Sequence, residues 1–515
     1  MNAPSNPPAS PDPATSRVLS HLLPSLADTL FIALFVALCY GHPRLRLLSD
    51  AGIGWHIRTG EWILQHHAVP HTDLFSNVPT RVWFAWEWLF DVVIAYVHSW
   101  SGLNGVLAFS AFLMALCFAL LLRWTLRRGA PVMVALVFVA LAIASSTVHA
   151  LARPHLVTWL FTLVCWDLLE RKHRIWLIPL LVLVWVNVHG GFLVAFALIG
   201  LSLAGDICGA MGLTDQDPAA ARRHSSLLVG VLAASFVASL INPFGFRLYG
   251  HLYEYLSDPF FRQHNLEMQT PDFHSVGVKA FVILVLLAGL IAVERYQQLR
   301  MGQVFVGVFF TASALLSVRN VPLAAIVLTL TVAPLLSEAK SGDDGSRGGW
   351  LKNSLLRFTG MQRVESRARG HVWAVVAIML TITACGHAGR LFGYPVIKAE
   401  WNPERFPIRA VDFLAQHPVQ GPMFTNDAWG GYVIYREWPE LKVVVDDRHD
   451  MYGSAYMRDY LQIVHGEKDW QELLNATGAR SVLMAKDGEL ASSMRGSPQW
   501  LTIYQDDQAI VFAHN

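Results

Sequence analysis

The sequence predicts a mainly α, polytopic membrane helical bundle of about eleven transmembrane helices, followed by a small extracytoplasmic α/β domain at the carboxy terminus. Two observations lead there. Across 515 residues the chain is 54% hydrophobic and only 15% charged, which is too apolar for an aqueous domain of that length. The apolar residues are gathered into long runs until residue 390, after which the composition turns to mixed charge and short apolar strings.

The first 25 residues are rich in Pro, Ser and Ala, with no short apolar stretch and small-residue cleavage site ahead of Leu26. They are expected to form a disordered cytoplasmic tail, with the first apolar run retained as an anchor. Apolar runs then occur at 26–40, 103–122, 131–149, 154–169, 175–187, 190–209, 226–241, 276–293, 302–317, 320–336 and 371–389. Together they delimit a transmembrane domain over 26–390. The stretch 86–100 carries Glu87, Asp91 and His98 and is short for a crossing, so it is expected to lie in the interface.

Topology follows from the basic loops. With 86–100 on the surface, the clusters at 123–128, 170–174, 222–223 and 295–300, and the basic linker 337–370, all share a side with the amino-terminal tail. An excess of Lys and Arg marks the cytoplasmic face. The amino terminus is therefore expected inside a bacterial inner membrane, and the first large loop, 41–102, outside with the segment 391–515. The pair 175–187 and 190–209 is separated by a Gly-containing turn that holds Asn187 and His189, and reads either as a hairpin or as one broken helix.

In the terminal segment, strand-length strings occur at 421–425, 441–445, 480–485 and 509–514, with a helical pattern over 456–477. The net charge of +1 gives no basis for nucleic-acid binding. The five cysteines, Cys39, Cys117, Cys165, Cys208 and Cys385, sit in or beside apolar runs without metal or redox spacing, as packing residues do.

The stretch 50–76 is the polar, histidine-rich exception in an apolar chain. Asp50 stands just beyond the first apolar run, as a solvated loop residue, a helix N-cap or a catalytic carboxylate. The helix expected after it, 53–66, sets Trp55, Trp62 and Ile63 against Arg58, Glu61 and Gln65, an amphipathic pattern suited to a membrane surface. Arg153 and Arg319 adjoin apolar runs, where an arginine either snorkels to headgroups or serves function.

Several strings occur in a specific order: D-x-x-x-x-W-H-x-x-T-G-E-x-I from Asp50, P-H-T-D-x-F-S from Pro70, W-E-W-L from Trp86, A-R-P-H from Ala152 and N-x-H-G-G from Asn187. N-P-F-G from Asn242, R-N-x-P from Arg319, W-G-G-Y from Trp429 and D-D-R from Asp446 complete the set. Together with the arrangement of spans, this order resembles the GT-C superfamily of membrane glycosyltransferases, which includes protein O-mannosyltransferases, aminoarabinose transferases and oligosaccharyltransferases.

The resemblance implies transfer of a sugar from a polyprenyl-phosphate donor to an envelope glycan, lipid or protein at the outer face of the membrane. It puts the catalytic carboxylate at Asp50, and general-base help of that kind is worth roughly a hundredfold or more. Arginine suits the departing phosphate because its planar fork binds phosphate oxygens in pairs, which makes Arg58, Arg153 and Arg319 the candidates. The matching motifs add His56, Glu61, Asp73, His155, Asn187 and His189 as substrate-binding residues.

One position departs from the pattern. A second acidic residue often follows the first by two positions, and here that place is Gly52. No metal ligand is assigned. A divalent metal stays open, with Glu61, Asp73, Glu87, His56, His66, His67 and His71 as alternative donors. The Gly-Gly pair of the W-G-G-Y string is similar to a recurring string of the family and is just as readily a turn, and the terminal segment reads as an acceptor-recognition module without a catalytic group. Two further readings compete: a lipid-linked substrate transporter or flippase, against which the nearly charge-free spans weigh, and a non-catalytic GT-C-like scaffold.

Overall fold

A computed structural model describes residues 22–42, 44–78, 82–337, 365, 368 and 370–515. The tail over 1–21 and most of the 337–370 linker lie outside the described residues. Each of the eleven apolar runs forms a helix. They are α1 (Leu26–Tyr40), the second part of α3 (Trp88–Arg127), α4 (Val132–Ser146), α5 (His155–Arg171), α6 (Ile178–Trp185), α7 (Leu193–Ala210), α8 (Pro218–Ser239), α11 (Val276–Glu294), α12 (Met301–Leu316), α13 (Val321–Val332) and α14 (Val372–Gly386). Between them lie more polar helices, among them α2 (Gly52–His66), α9 (Arg247–Ser257) and α10 (Pro259–His264). Among the described residues five helical stretches, counting the 3-10 turns that extend them, are long and apolar enough to cross a membrane.

The ambiguous stretch 86–100 is continuous with the span that follows it. Gly102, at φ 59° and ψ −151°, breaks α3 into a first arm and the apolar run. That backbone conformation is open to glycine at little cost. The first arm packs against α2, and Gly60 makes the approach close, since a Cβ there would stand 1.9 Å from the Asp91 carbonyl oxygen.

Ion pairs join the helices at one end of the bundle. Arg123 reaches Asp28 at 3.4 Å, Arg128 reaches Asp167 at 2.8 Å, and Arg300 reaches Glu170 at 2.7 Å. Lys172 and Asp206 meet at 3.7 Å at this same end. Helix α6 therefore runs away from that end to the turn at Asn187 and His189, and α7 returns to it. The two are separate passes in opposite directions, which resolves the hairpin alternative in its favour.

At the other end sits the terminal segment. Its sheet has the order β3 (Met423–Thr425), β4 (Ser481–Ala485), β6 (Ala509–His514), β5 (Trp500–Gln505), with β3 and β4 parallel and the other pairs antiparallel. A small β1–β2 pair (Arg390–Leu391 and Tyr394–Pro395) leads into it. Helices α15 (Ile408–Gln416), α16 (Asp427–Glu437), α17 (His449–Val464), α18 (Trp470–Ala476) and α19 (Glu489–Met494) complete the domain.

Two expectations are corrected here. The string 441–445 is not a strand: it makes only single-residue bridges, from Val443 to Met423 on one side and to Ser76 on the other. It thus stitches the first loop to the sheet edge. The strand Trp500–Gln505 lacked a legible signal, because its inner and outer faces do not alternate cleanly. The Gly430–Gly431 pair lies inside α16 and forms no turn. A Cβ at Gly431 would come within 2.4 Å of the Ala51 carbonyl oxygen, and one at Gly54 within 2.3 Å of the Gly431 carbonyl oxygen. Small residues on both helices let α16 and α2 touch backbone to backbone.

Candidate functional site

A cavity of about 790 Å³ opens where the bundle meets the terminal domain, and it is lined by Asp50, Arg153, Glu267, Arg319 and Asp447 among others. Its organising group is the Arg153 guanidinium, on the turn ahead of α5. Nε donates to Asp50 Oδ1 at 2.7 Å, and Nη2 donates to the Asp447 carboxylate. Nη1 stands 3.9 Å from Glu267. Three acidic residues from the first loop, the loop before α11 and the terminal domain converge on one cation.

Gly52 explains how they fit. A Cβ on this residue would lie 2.3 Å from Arg153 Nη2 and 2.6 Å from Asp447 Oδ2. The absent side chain leaves the room in which the guanidinium and the Asp447 carboxylate meet. The Gly52 amide donates to Asp50 Oδ1 at 2.8 Å, which orients the carboxylate from below. Asp447 takes a second bond at Oδ1 from the Trp55 indole at 2.9 Å.

The acids differ in their electrostatics. Burial pushes Asp447 up to about 6, against the opposing pull of Arg153. Burial acts the same way on Glu267, yet the surrounding His149, Arg153 and Arg319 overcome it and hold this carboxyl at about 2. Arg319 lines the cavity and makes no hydrogen bond or ion pair with the described residues. It is a cation with capacity to spare.

Of the residues singled out in the sequence, Asp50, His56, Arg153, His155, His189 and Arg319 line this cavity. Arg58, Glu61, Asp73 and Asn187 do not. Arg58 donates to the Tyr435 carbonyl at 3.0 Å, which ties α2 to α16, and to Glu61 of its own helix at 2.7 Å. Asp73 is paired at 2.8 Å with Arg448, which also grips Asp446 and lies 4.6 Å from the centre of the Trp83 ring. Burial would raise the Asp73 carboxyl, but the Arg448 guanidinium and Ser76 hold it below the usual range. Asn187 bridges helices, accepting from the Trp88 indole at 2.7 Å and donating to the Leu183 and Ile241 carbonyls.

The sequence reading passed over Glu267 and kept Asp447 out of the chemistry. Nothing local marks Glu267, which sits in a loop otherwise rich in aromatics. The D-D-R string did carry a signal, since three adjacent charged residues after an apolar string are costly to bury unless paired.

Apart from His56 and Glu87, which stand 3.7 Å from each other, the donors considered for a metal are dispersed. His66 stacks on Trp62, His71 lies against Phe244, and Glu61 pairs with Arg58. Among the described residues no group of three or more His, Cys, Asp or Glu is disposed to hold a metal ion. Between Asp50 and Asp447, where a cation would sit, the Arg153 guanidinium already stands. The donor set does not fit a divalent ion.

No protein-family model matches the chain, and no curated protein matches it. Solved structures do. The archaeal oligosaccharyltransferase AglB from Archaeoglobus fulgidus, solved in complex with an inhibitory peptide and a dolichol-phosphate, matches with a TM-score of 0.51 at 11% identity, over 95% of this chain and 74% of its own. ArnT from Cupriavidus metallidurans matches over 95% of this chain and 96% of its own. Its undecaprenyl phosphate-bound form has a TM-score of 0.47 at 13% identity, and its apo form 0.48 at 14%. At these identities the likeness concerns the fold alone, which the chain shares with the archaeal oligosaccharyltransferase structure.

Proposed function

We propose that the chain is a glycosyltransferase that moves a sugar from a polyprenyl-phosphate donor to an envelope glycan, lipid or protein at the outer face of a bacterial inner membrane. The observation that carries this reading is the Asp50–Arg153 pair in a cavity at the mouth of an apolar helical bundle. Asp50 Oδ1 is committed to Arg153 and to the Gly52 amide, while Oδ2 has no hydrogen-bond partner among the described residues.

In the proposed step the acceptor hydroxyl gives its proton to Asp50 Oδ2 as its oxygen bonds to the anomeric carbon of the sugar. The bond from that carbon to the phosphate oxygen breaks, and the lipid phosphate leaves with the electron pair. Arg319 lines the cavity, makes no hydrogen bond or ion pair among the described residues, and is suited to take up that charge where water is scarce. Arg153 holds the base in place and joins it to the terminal domain.

The paired charges at the far end of the bundle include Arg123, Arg128, Lys172 and Arg300. An excess of basic residues there favours a cytoplasmic placement of that end. The cavity and the terminal domain then face the periplasm. The purified chain, incubated with radiolabelled polyprenyl-phosphate sugars and a membrane-extract acceptor fraction, is expected to release lipid phosphate and label the acceptor. Intact donor after prolonged incubation across a panel of sugars would instead support the scaffold reading.

A further inference from the structure

One wall of the cavity takes no part in the step proposed above. Glu87, just ahead of α3, places its carboxyl between two imidazoles: Oε2 is 3.7 Å from His56 Nε2, and Oε1 is 3.7 Å from His189 Nε2. Both separations exceed the reach of an N–H···O hydrogen bond. The two rings are nevertheless fixed from behind. His56 Nδ1 lies 2.6 Å from Asp91 Oδ1, and His189 Nδ1 accepts from the Gly191 amide at 3.0 Å.

Because Nδ1 of His189 is an acceptor, the neutral ring carries its proton on Nε2, directed at Glu87. The second oxygen of Asp91, Oδ2, is buried without a hydrogen-bond partner among the described residues. An aromatic surface completes the wall: the His251 ring lies 5.1 Å from Trp86 and stacks on Phe84 at 4.3 Å. Burial pushes the Glu87 carboxyl up to about 8 and drives His56 well below the ordinary imidazole range. Burial thus favours the uncharged forms of Glu87 and His56, unlike the Arg153 cluster.

A neutral carboxyl offers one donor and at least one acceptor, each ring still presents Nε2, which on His189 is a donor, and a hydroxyl can both donate and accept. A hydroxyl seated against Glu87 and either imidazole replaces a gap with two hydrogen bonds. Two such notches flank one carboxyl group, beside an aromatic face suited to the apolar side of a ring. We propose that Trp86, Glu87, His56 and His189 form a subsite for adjacent hydroxyls of an uncharged sugar. The inference rests on the donor reading given above, and it specifies which part of the donor this wall takes.

The test uses the full chain in lipid nanodiscs. The probes are undecaprenyl phosphate, the same lipid carrying glucose, mannose, galactose or arabinose, and one carrying an amino sugar. At least one uncharged sugar is expected to tighten binding about tenfold over the bare lipid, as two new hydrogen bonds allow. Glu87→Leu is expected to lose that increment while retaining bare-lipid affinity, and Glu87→Gln, which keeps a donor and an acceptor, to preserve it within about threefold.

Survival of the increment in Glu87→Leu overturns the subsite. So does an increment confined to the amino sugar and abolished by Glu87→Gln, or one removed by a divalent-metal chelator. Bare lipid that binds with no gain from any sugar overturns the subsite alone, whereas no binding of any probe by the unaltered chain overturns the donor reading beneath it. If Glu87→Leu fails to fold, the half-buried Trp86→Leu reads the same increment against the same bare-lipid control.

Discussion

Arg153 Nη2 donates to the carboxylate of Asp447, a residue 294 positions away in the chain. The same guanidinium holds Asp50 at 2.7 Å through Nε, so one side chain joins the candidate base to the terminal domain. An ammonium cannot reproduce this planar, two-sided grip. Arg153→Lys is therefore expected to lower the transfer rate by about a hundredfold, as loss of a positioned general base does. Initial rates with labelled donor check it, and the melting temperature reports whether the domains stay docked.

The contact of α16 with α2 depends on residues without side chains. Gly431→Ala brings a Cβ within 2.4 Å of the Ala51 carbonyl oxygen, and backbone cannot yield as a side-chain end does. Overpacking of this kind costs about 1–3 kcal/mol. The melting temperature is expected to fall, while Gly250→Ala, with nothing within 4 Å of the new atom, leaves it unchanged.

The apolar runs were legible because a bilayer span must be long and nearly charge-free, and each of the eleven became a helix. Arg153 and Arg319 stood out because an arginine beside an apolar run needs a reason, Asp50 stood out through the motif resemblance, and all three line the cavity. Tertiary pairing was the part that could not be read. The sequence does not show that Arg58 docks on the Tyr435 carbonyl, whereas Arg319 makes no hydrogen bond or ion pair among the described residues. Gly52 looked like a missing acid, yet its lack of a side chain is what admits Asp447. A one-dimensional pattern records which residue is absent, but not which distant residue takes up the space.

Stability should depend on pH through Glu87. Its folded-state carboxyl is raised from 4.5 to about 8, so the folded chain holds a proton that the unfolded chain releases. This contribution is fully present below 4.5 and is lost as pH rises through about 8. Melting temperatures from pH 5 to 8.5 are expected to decline more steeply for the unaltered chain than for Glu87→Gln, which cannot ionise. Parallel curves would assign the slope to other groups.

Arg319 makes no structural bond to the described residues, so its loss should affect ligand more than fold. Arg319→Ala is expected to weaken undecaprenyl phosphate binding by about tenfold or more, at the scale of a charge-assisted hydrogen bond of roughly 1.5–3 kcal/mol. Its melting temperature should stay within about 2 °C of the unaltered chain, as for a surface-type substitution near 0.5 kcal/mol. Titration calorimetry in nanodiscs separates the two effects.

Removing divalent metal is expected to leave transfer unchanged, because the Arg153 guanidinium stands between the two carboxylates that would otherwise call for a cation. Rates before and after chelation, with magnesium or manganese added back, measure this. A loss on chelation that is restored by the ion would contradict the guanidinium's place.

The most direct measurement compares the purified chain with Asp50→Asn, using a polyprenyl-phosphate sugar that the unaltered chain turns over and recording labelled product against time. A loss of about a hundredfold or more is expected, with donor affinity and melting temperature retained. Equal turnover by Asp50→Asn at equal protein level would contradict it.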